Sequence, residues 1–128
     1  MKSLIFTILL STFALSSTSV YVSHNNKLSK VSHKDLANLY LKKSNTINGI
    51  KVIPVDSPNK KLFKEFYKNI IKKTPSQLHA YWIKELYRGN KQPPKKLSAK
   101  AIKKINNKIP IISYTKSSKT GRILLTIK

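Results

Sequence analysis

IKVIPVDSPNKKLFKEFYKNIIKK, residues Ile50 to Lys73, decides the fold. Ile50 to Val55 is rich in β-branched side chains and reads as a strand, with Pro54 demoting its end to an edge or an exit. Beyond Asn59 the period changes. Leu62, Phe63, Phe66, Tyr67, Ile70 and Ile71 recur at offsets that share one helical face, while Lys61, Lys64, Lys68 and Lys72 fall opposite, as a solvated face does. A strand that turns, over Asp56 to Lys61, into an amphipathic helix expected from about Asn59 to Lys73 is a building unit of α/β proteins, in which the apolar stripe of the helix lies on the sheet.

Working outward, Ser44 to Gly49 is polar and turn-like. Before it, Ser32 stands three residues ahead of Asp35, with Leu36, Leu39 and Tyr40 at helical spacing, which predicts a capped helix from about His33 to Leu41. Val20 to Ser23 (VYVS), closed by His24-Asn25-Asn26, predicts a first strand. On the other side, Thr74, Pro75 and Gln77 supply the N-cap, the first-turn proline and the capping-box acceptor of a helix to about Arg88, which Gly89 stops. Its buried candidates are Leu78, Tyr81, Trp82 and Leu86. Lys91 to Lys96 (KQPPKK) reads as an exposed basic loop. Leu97 and Ile102 then bracket an N-cap at Ser98, a hydrophobic staple that starts a helix to about Lys108, and Pro110 prevents its continuation. Ile111 to Thr115 and Ile123 to Ile127 predict two closing strands around a polar turn, Lys116 to Gly121. The expected order is β-α-β-α-α-α-β-β, an α/β protein with a small mixed sheet covered by helices. Its expected core holds Leu39, Val52, Val55, Phe63, Phe66, Ile70, Tyr81, Trp82, Ile105, Ile112 and Tyr114.

At the N-terminus, Met1-Lys2 is followed by an apolar run from Leu4 to Leu15 and by the small residues Ser16 to Ser19, the order of a secretory signal peptide. The run is shorter than the roughly 20 apolar residues of a membrane span. The expectation is export, to the periplasm or beyond the cell, with cleavage at Ser16 or Ser19, the latter preferred. Residues 20 to 128 are then enough for one core and too few for two ordinary domains. With no cysteine in the chain, no disulfide can staple the fold, and apolar packing must hold it.

Lys and Arg number 26 against 4 Asp and Glu, a formal charge of +22, which draws anionic partners from a distance. All but Arg88 and Arg122 of these cations are lysine, whereas readers of phosphate and base edges favour the planar Arg fork. Sequence-specific nucleic-acid binding is therefore not expected. A second reading needs nothing but the charge: a polycation adhering to lipopolysaccharide, anionic phospholipid or extracellular nucleic acid. Catalytic chemistry is not expected either. Asp35, Asp56, Glu65 and Glu85 fall on different predicted elements, and His24, His33 and His79 lack metal-ligand spacing. No nucleophile elbow, phosphate-binding glycine loop or other cofactor motif is present, so neither a metal nor a cofactor is expected. Tyr81 and Trp82, at helical spacing, read as core residues and not as a base-stacking platform.

Leu36-Ala37-Asn38-Leu39-Tyr40-Leu41-Lys42-Lys43, then Asn48-Gly49, then Val52-Ile53-Pro54-Val55-Asp56 resembles the pattern of the periplasmic phosphate-binding proteins, in which a helix ends in a Phe-Leu-Gly-Lys turn before an Asn-Gly loop and a strand. Phe66, Tyr81-Trp82, Gly89, Pro93-Pro94 and Ile112-Ser113-Tyr114 are similar to the further marks of the short, single-domain members, the substrate-binding proteins of phosphate transporters. There the last mark reads Ile-Gly-Tyr. The resemblance implies one lobe of a type 2 periplasmic-binding fold, with phosphate or a similar oxyanion as ligand. It also implies a membrane transporter or sensor as partner, and a homo-oligomer is another way to complete the cleft. In longer relatives a Ser-Gly-Thr turn after the strand holds phosphate; the equivalent stretch here is Ser57-Pro58-Asn59-Lys60-Lys61-Leu62. Ser57, Asn59, Lys60 and Lys61 are thus the candidate anion-binding residues, beside the first-turn N–H groups of the helix. Asp56 at the same mouth opposes an anion unless it is turned away or paired with Lys60 or Lys61.

Overall fold

The computed structural model describes residues 18–23, 28, 30–89, 91–105, 109–116 and 122–127. In chain order the elements are β1 (Thr18–Ser23), α1 (His33–Tyr40), β2 (Thr46–Ile47), β3 (Ile50–Lys51), β4 (Ile53–Asp56) and α2 (Lys60–Phe66), which runs on as a π-helical turn (Tyr67–Ile71). They continue with α3 (Pro75–Tyr87), β5 (Lys95–Lys96), α4 (Ala99–Lys104), β6 (Ile111–Thr115) and β7 (Arg122–Ile127). Five strands form one mixed sheet in the order β5-β4-β6-β1-β7, and β2 and β3 pair separately. β4 is parallel to β5 and to β6, while β1 is antiparallel to both β6 and β7. This is the expected α/β class.

The helices start where their caps stand. Ser32 accepts from the Asp35 N–H and Asp35 accepts in return from the Ser32 N–H, and Thr74 with Gln77 repeats the arrangement at α3. Asn59 and Ser98 cap α2 and α4 through the N–H groups of Leu62 and Ala101. Gly89, at φ +70°, ends α3 in the left-handed conformation that only glycine adopts cheaply.

Several expectations shift. Ile50 to Val55 is not one strand. Asn48 and Gly49, at φ +52° and +79°, close a two-residue hairpin that folds Ile50–Lys51 back on Thr46–Ile47. The main sheet therefore resumes only at Ile53. Pro54 sits in an inner strand and not at an edge. The Ile53 N–H bonds the Pro110 carbonyl on the β6 side, so Pro54 faces the β5 flank, where pairing begins only at Val55 and no ladder donor is missed. Lys95 and Lys96, expected in a loop, pair with Val55 and Asp56 through backbone alone, which side-chain pattern does not announce. Leu86 and Tyr87 are 62% and 90% exposed, with Ile83 beside them, while Glu85 faces inward at 5% with ion pairs to Arg88 (3.3 Å) and Lys91 (3.6 Å). α4 ends at Lys104; 106–108, where the expected helix would continue, lie outside the described residues, as do 117–121 of the last turn and residues 1–17, most of the expected signal peptide.

The two faces of the sheet are covered unequally. On one, Val20, Val22, Ile112 and Tyr114 meet Leu36, Leu39, Tyr40, Phe66, Ile70 and Trp82 from the three longer helical segments, in the main core. Phe66 stacks on Tyr114 with ring centroids 3.8 Å apart and planes 3° from parallel, and Tyr40 meets Phe66 edge-on at 4.8 Å. The Tyr40 hydroxyl lies 3.0 Å from the Val55 carbonyl and 3.1 Å from that of Ile112, bridging β4 and β6. On the other face, among the described residues, α4 alone packs, and the buried cluster is Val55, Ile102 and Ile111. Of the expected core, Phe63, Tyr81 and Ile105 are half-buried at its margin, and the rest are buried.

Candidate functional site

β4 and β5 are parallel, and each leads directly into a helix, so α2 and α4 both begin at the C-terminal edge of the same strand pair. Between their starts lies a cleft of about 240 Å³. Ser57 and Asn59 line it from the β4–α2 turn, Ser98 and Ile102 from α4, and Ser113 and Thr115 from β6. Clefts at this edge are where open α/β sheets collect ligands.

The turn is fixed from beneath. Asp56, the last residue of β4, is 2% exposed and points into the main core. Tyr67 donates its hydroxyl to one carboxylate oxygen at 2.8 Å, and Tyr114 donates to the other at 2.9 Å. The Tyr114 oxygen in turn accepts the Ser57 N–H at 3.2 Å. A chain of three groups thus ties the end of β4 to the first residue of the turn. The Ser57 hydroxyl accepts from the Asn59 N–H at 3.1 Å, which leads the turn into its cap. Asp56 belongs to the cleft lining, but its carboxylate is held by two tyrosines, not by Lys60 or Lys61. Burial pushes its carboxyl up to about 6, against the lowering effect of the Tyr67 and Tyr114 hydroxyls and of the charges of Lys96 and Lys42. Burial first, and Asp56 second, holds the Tyr67 and Tyr114 hydroxyls well above the ordinary phenol range, so both stay protonated donors.

Of the four candidate anion residues, the structure brings Ser57 and Asn59 to the cleft. Lys60 and Lys61 occupy the first turn of α2, exposed and outside the cleft lining. In that turn Asn59 takes the N–H groups of Leu62, by its side chain, and Phe63, by its carbonyl. The helix itself supplies no acceptor for those of Lys60 and Lys61.

Ser113 is the residue that sequence reasoning passed over. Along β6 the side chains alternate: Ile112 and Tyr114 enter the main core, and Ile111 packs with Val55 and Ile102. Ser113 therefore shares the α4 face, on which the cleft lies. It is 4% exposed, and its hydroxyl has no hydrogen-bond partner among the described residues. A buried hydroxyl without a protein partner costs roughly 1–3 kcal/mol, and Ser113 has a donor and an acceptor to offer at the cleft. The signal was a serine inside an otherwise apolar strand, at the position where the resembled family has glycine. Among the described residues no group of three or more His, Asp or Glu could hold a metal ion. No family model, no curated protein and no solved structure matches the chain.

Proposed function

We propose that the chain is an exported binding module for a small oxyanion, phosphate or one of its kin, taken into the cleft between the starts of α2 and α4. The observation that carries this reading is the buried, unpartnered hydroxyl of Ser113 on the same sheet face as that cleft. The ordered resemblance to phosphate-binding proteins supports the ligand class, and the apolar run from Leu4 to Leu15 supports export. The hydroxyls of Ser57, Ser98 and Ser113 are neutral donors in the cleft lining that suit an anion held without a matching charge. The lysines contribute attraction at long range and are screened within about 8–10 Å at ordinary salt. An open cleft of this size leaves the ion partly hydrated, so high affinity would need a second copy or a membrane transporter or sensor to close over it.

Ser113→Ala tests the reading. The expected outcome by calorimetry is weaker phosphate and sulfate binding, with a thermal stability equal to or above that of the parent, because an unpartnered buried hydroxyl has been removed. Unchanged binding would remove the cleft from consideration. The charge of 26 cations against 4 acids favours the second reading, a polycation held on anionic surfaces. In that case only polyanions bind, affinity collapses as salt rises, and Ser113→Ala changes nothing.

A further inference from the structure

At the opposite, N-terminal ends of the same parallel strands lies a larger cavity, of about 700 Å³, within the size range of small-molecule sites. It exists because α4, six residues and ~9 Å long, is too short to cover its face of the sheet. Ile53, Val55, Leu97, Ile105 and Ile111 form the floor. Ile53, Leu97 and Ile105 are only half-buried, packed at the margin of a three-residue cluster. The cavity is thus apolar below, and its remaining lining brings three cations to it: Lys42, Lys91 and Lys95.

The cations are placed by the backbone. Lys95 pairs in parallel register with Val55, so its side chain stands on the same sheet face as the cavity floor. Lys42 follows α1 in the left-handed conformation, φ +60°. Lys91 is shared with Glu85 at 3.6 Å, and among the described residues no carboxylate lines the cavity. An apolar floor beneath three cations, of which Lys91 and Lys42 also feel the Glu85 and Asp56 carboxylates, selects a ligand with an apolar body and an anionic head. A second copy of the chain, with the same excess of 26 cations over 4 acids, offers these lysines no matching charge.

We infer that this cavity is a second binding site, for an amphiphilic anion: a medium-chain acyl or aryl carboxylate whose hydrocarbon lies on Ile53, Ile105 and Ile111 and whose carboxylate meets Lys42 and Lys95. It shares no cation with the oxyanion cleft and does not rest on that reading. The probe is dodecanoate, used as monomer, with dodecyltrimethylammonium as the apolar control of opposite charge and anionic phosphatidylglycerol vesicles as the control for a lipid surface. Dodecanoate is expected to bind saturably at one site, and the ammonium amphiphile at least tenfold more weakly. Lys42→Gln/Lys95→Gln should weaken dodecanoate binding about tenfold, whereas the charge-matched pair Lys103→Gln/Lys104→Gln should leave it unchanged. Ile105→Trp, which fills the cavity, should abolish binding in a chain that still unfolds cooperatively, and Ser113→Ala should bind dodecanoate as the parent does. Equal binding of both amphiphiles, equal loss in both lysine pairs, full binding by Ile105→Trp, or attachment to vesicles without binding of the monomer would each overturn the assignment.

Discussion

Both carboxylate oxygens of Asp56 are held by buried phenols. Its folded carboxyl titrates near 6 instead of 3.8, because burial outweighs two phenol donors. The folded chain therefore holds this proton more tightly than the unfolded chain does. Stability gained from it is complete below about 4 and is lost as pH rises through 6, a difference of about 3 kcal/mol. Asp56→Asn should remove that slope from denaturant midpoints measured between pH 5 and 7.5, and a slope that persists would assign it elsewhere. The same titration bears on the cleft, since a buried negative charge beneath it opposes an anion. Sulfate, which does not titrate in this range, should bind more tightly at pH 5 than at pH 7.5, and Asp56→Asn should bind it at pH 7.5 as the parent does at pH 5. Phe66, 1% exposed and stacked on Tyr114, should cost roughly 3–5 kcal/mol when replaced by alanine. A loss near zero in chemical denaturation would contradict its place at the centre of the main core.

Helix ends and hairpins decide which parts of this fold could be read in advance. Ser32, Asn59, Thr74 and Ser98 each stand before an apolar period, and all four open helices, because capping is chemistry within four residues of chain. The pairing of Lys95–Lys96 with β4 and the bond from Tyr114 to Asp56, 58 residues away, leave no local trace. Half of the cleft follows from those two long-range facts, so Ser57 and Asn59 were legible and Ser98 and Ser113 were not. The π-helical turn was equally hidden. It lets Tyr67 reach Asp56 while Ile70 and Ile71 stay buried, and it ends at Lys72 in the left-handed conformation, φ +64°, where glycine is usual. Lys72→Gly should raise stability by about 0.5–1 kcal/mol, and Gly89→Ala, at φ +70° with open space around it, should lower it by about 1 kcal/mol. Equal signs for the two changes in thermal unfolding would refute the strain argument. β1 begins at Thr18, and Thr18 and Ser19 are both buried and paired, with Ile127 and with Thr115 and Thr126. If the chain is exported as proposed, cleavage after Ser19 would remove Thr18 and Ser19 from those pairs whereas cleavage after Ser16 would keep them, and mass spectrometry of the exported chain separates a first residue of Val20 from one of Ser17.

Across the whole molecule, the unequal cover of the sheet separates what holds the fold from what is left to bind. The main core gathers three helical segments on one face, and the thinly covered face carries both the cleft and the cavity. Replacements on the second face, such as Ser113→Ala, should change ligand affinity with little change in stability, and those on the first should do the reverse. The place of β1 has a further consequence, in time instead of space. The first described strand is held between β6 and β7, the last two described, in a sheet whose central strand is β6 itself. A chain growing from its N-terminus cannot pair β1 until synthesis has passed residue 111, and cannot flank it on both sides before residue 122. Contacts of such sequence separation form late and slowly. Nascent chains arrested before β6 should be digested by protease at the rate of an unfolded polypeptide, with resistance appearing only once β7 is out. For most of its synthesis the chain is a pliable thread, and that is the state in which a polypeptide can be drawn through a narrow pore.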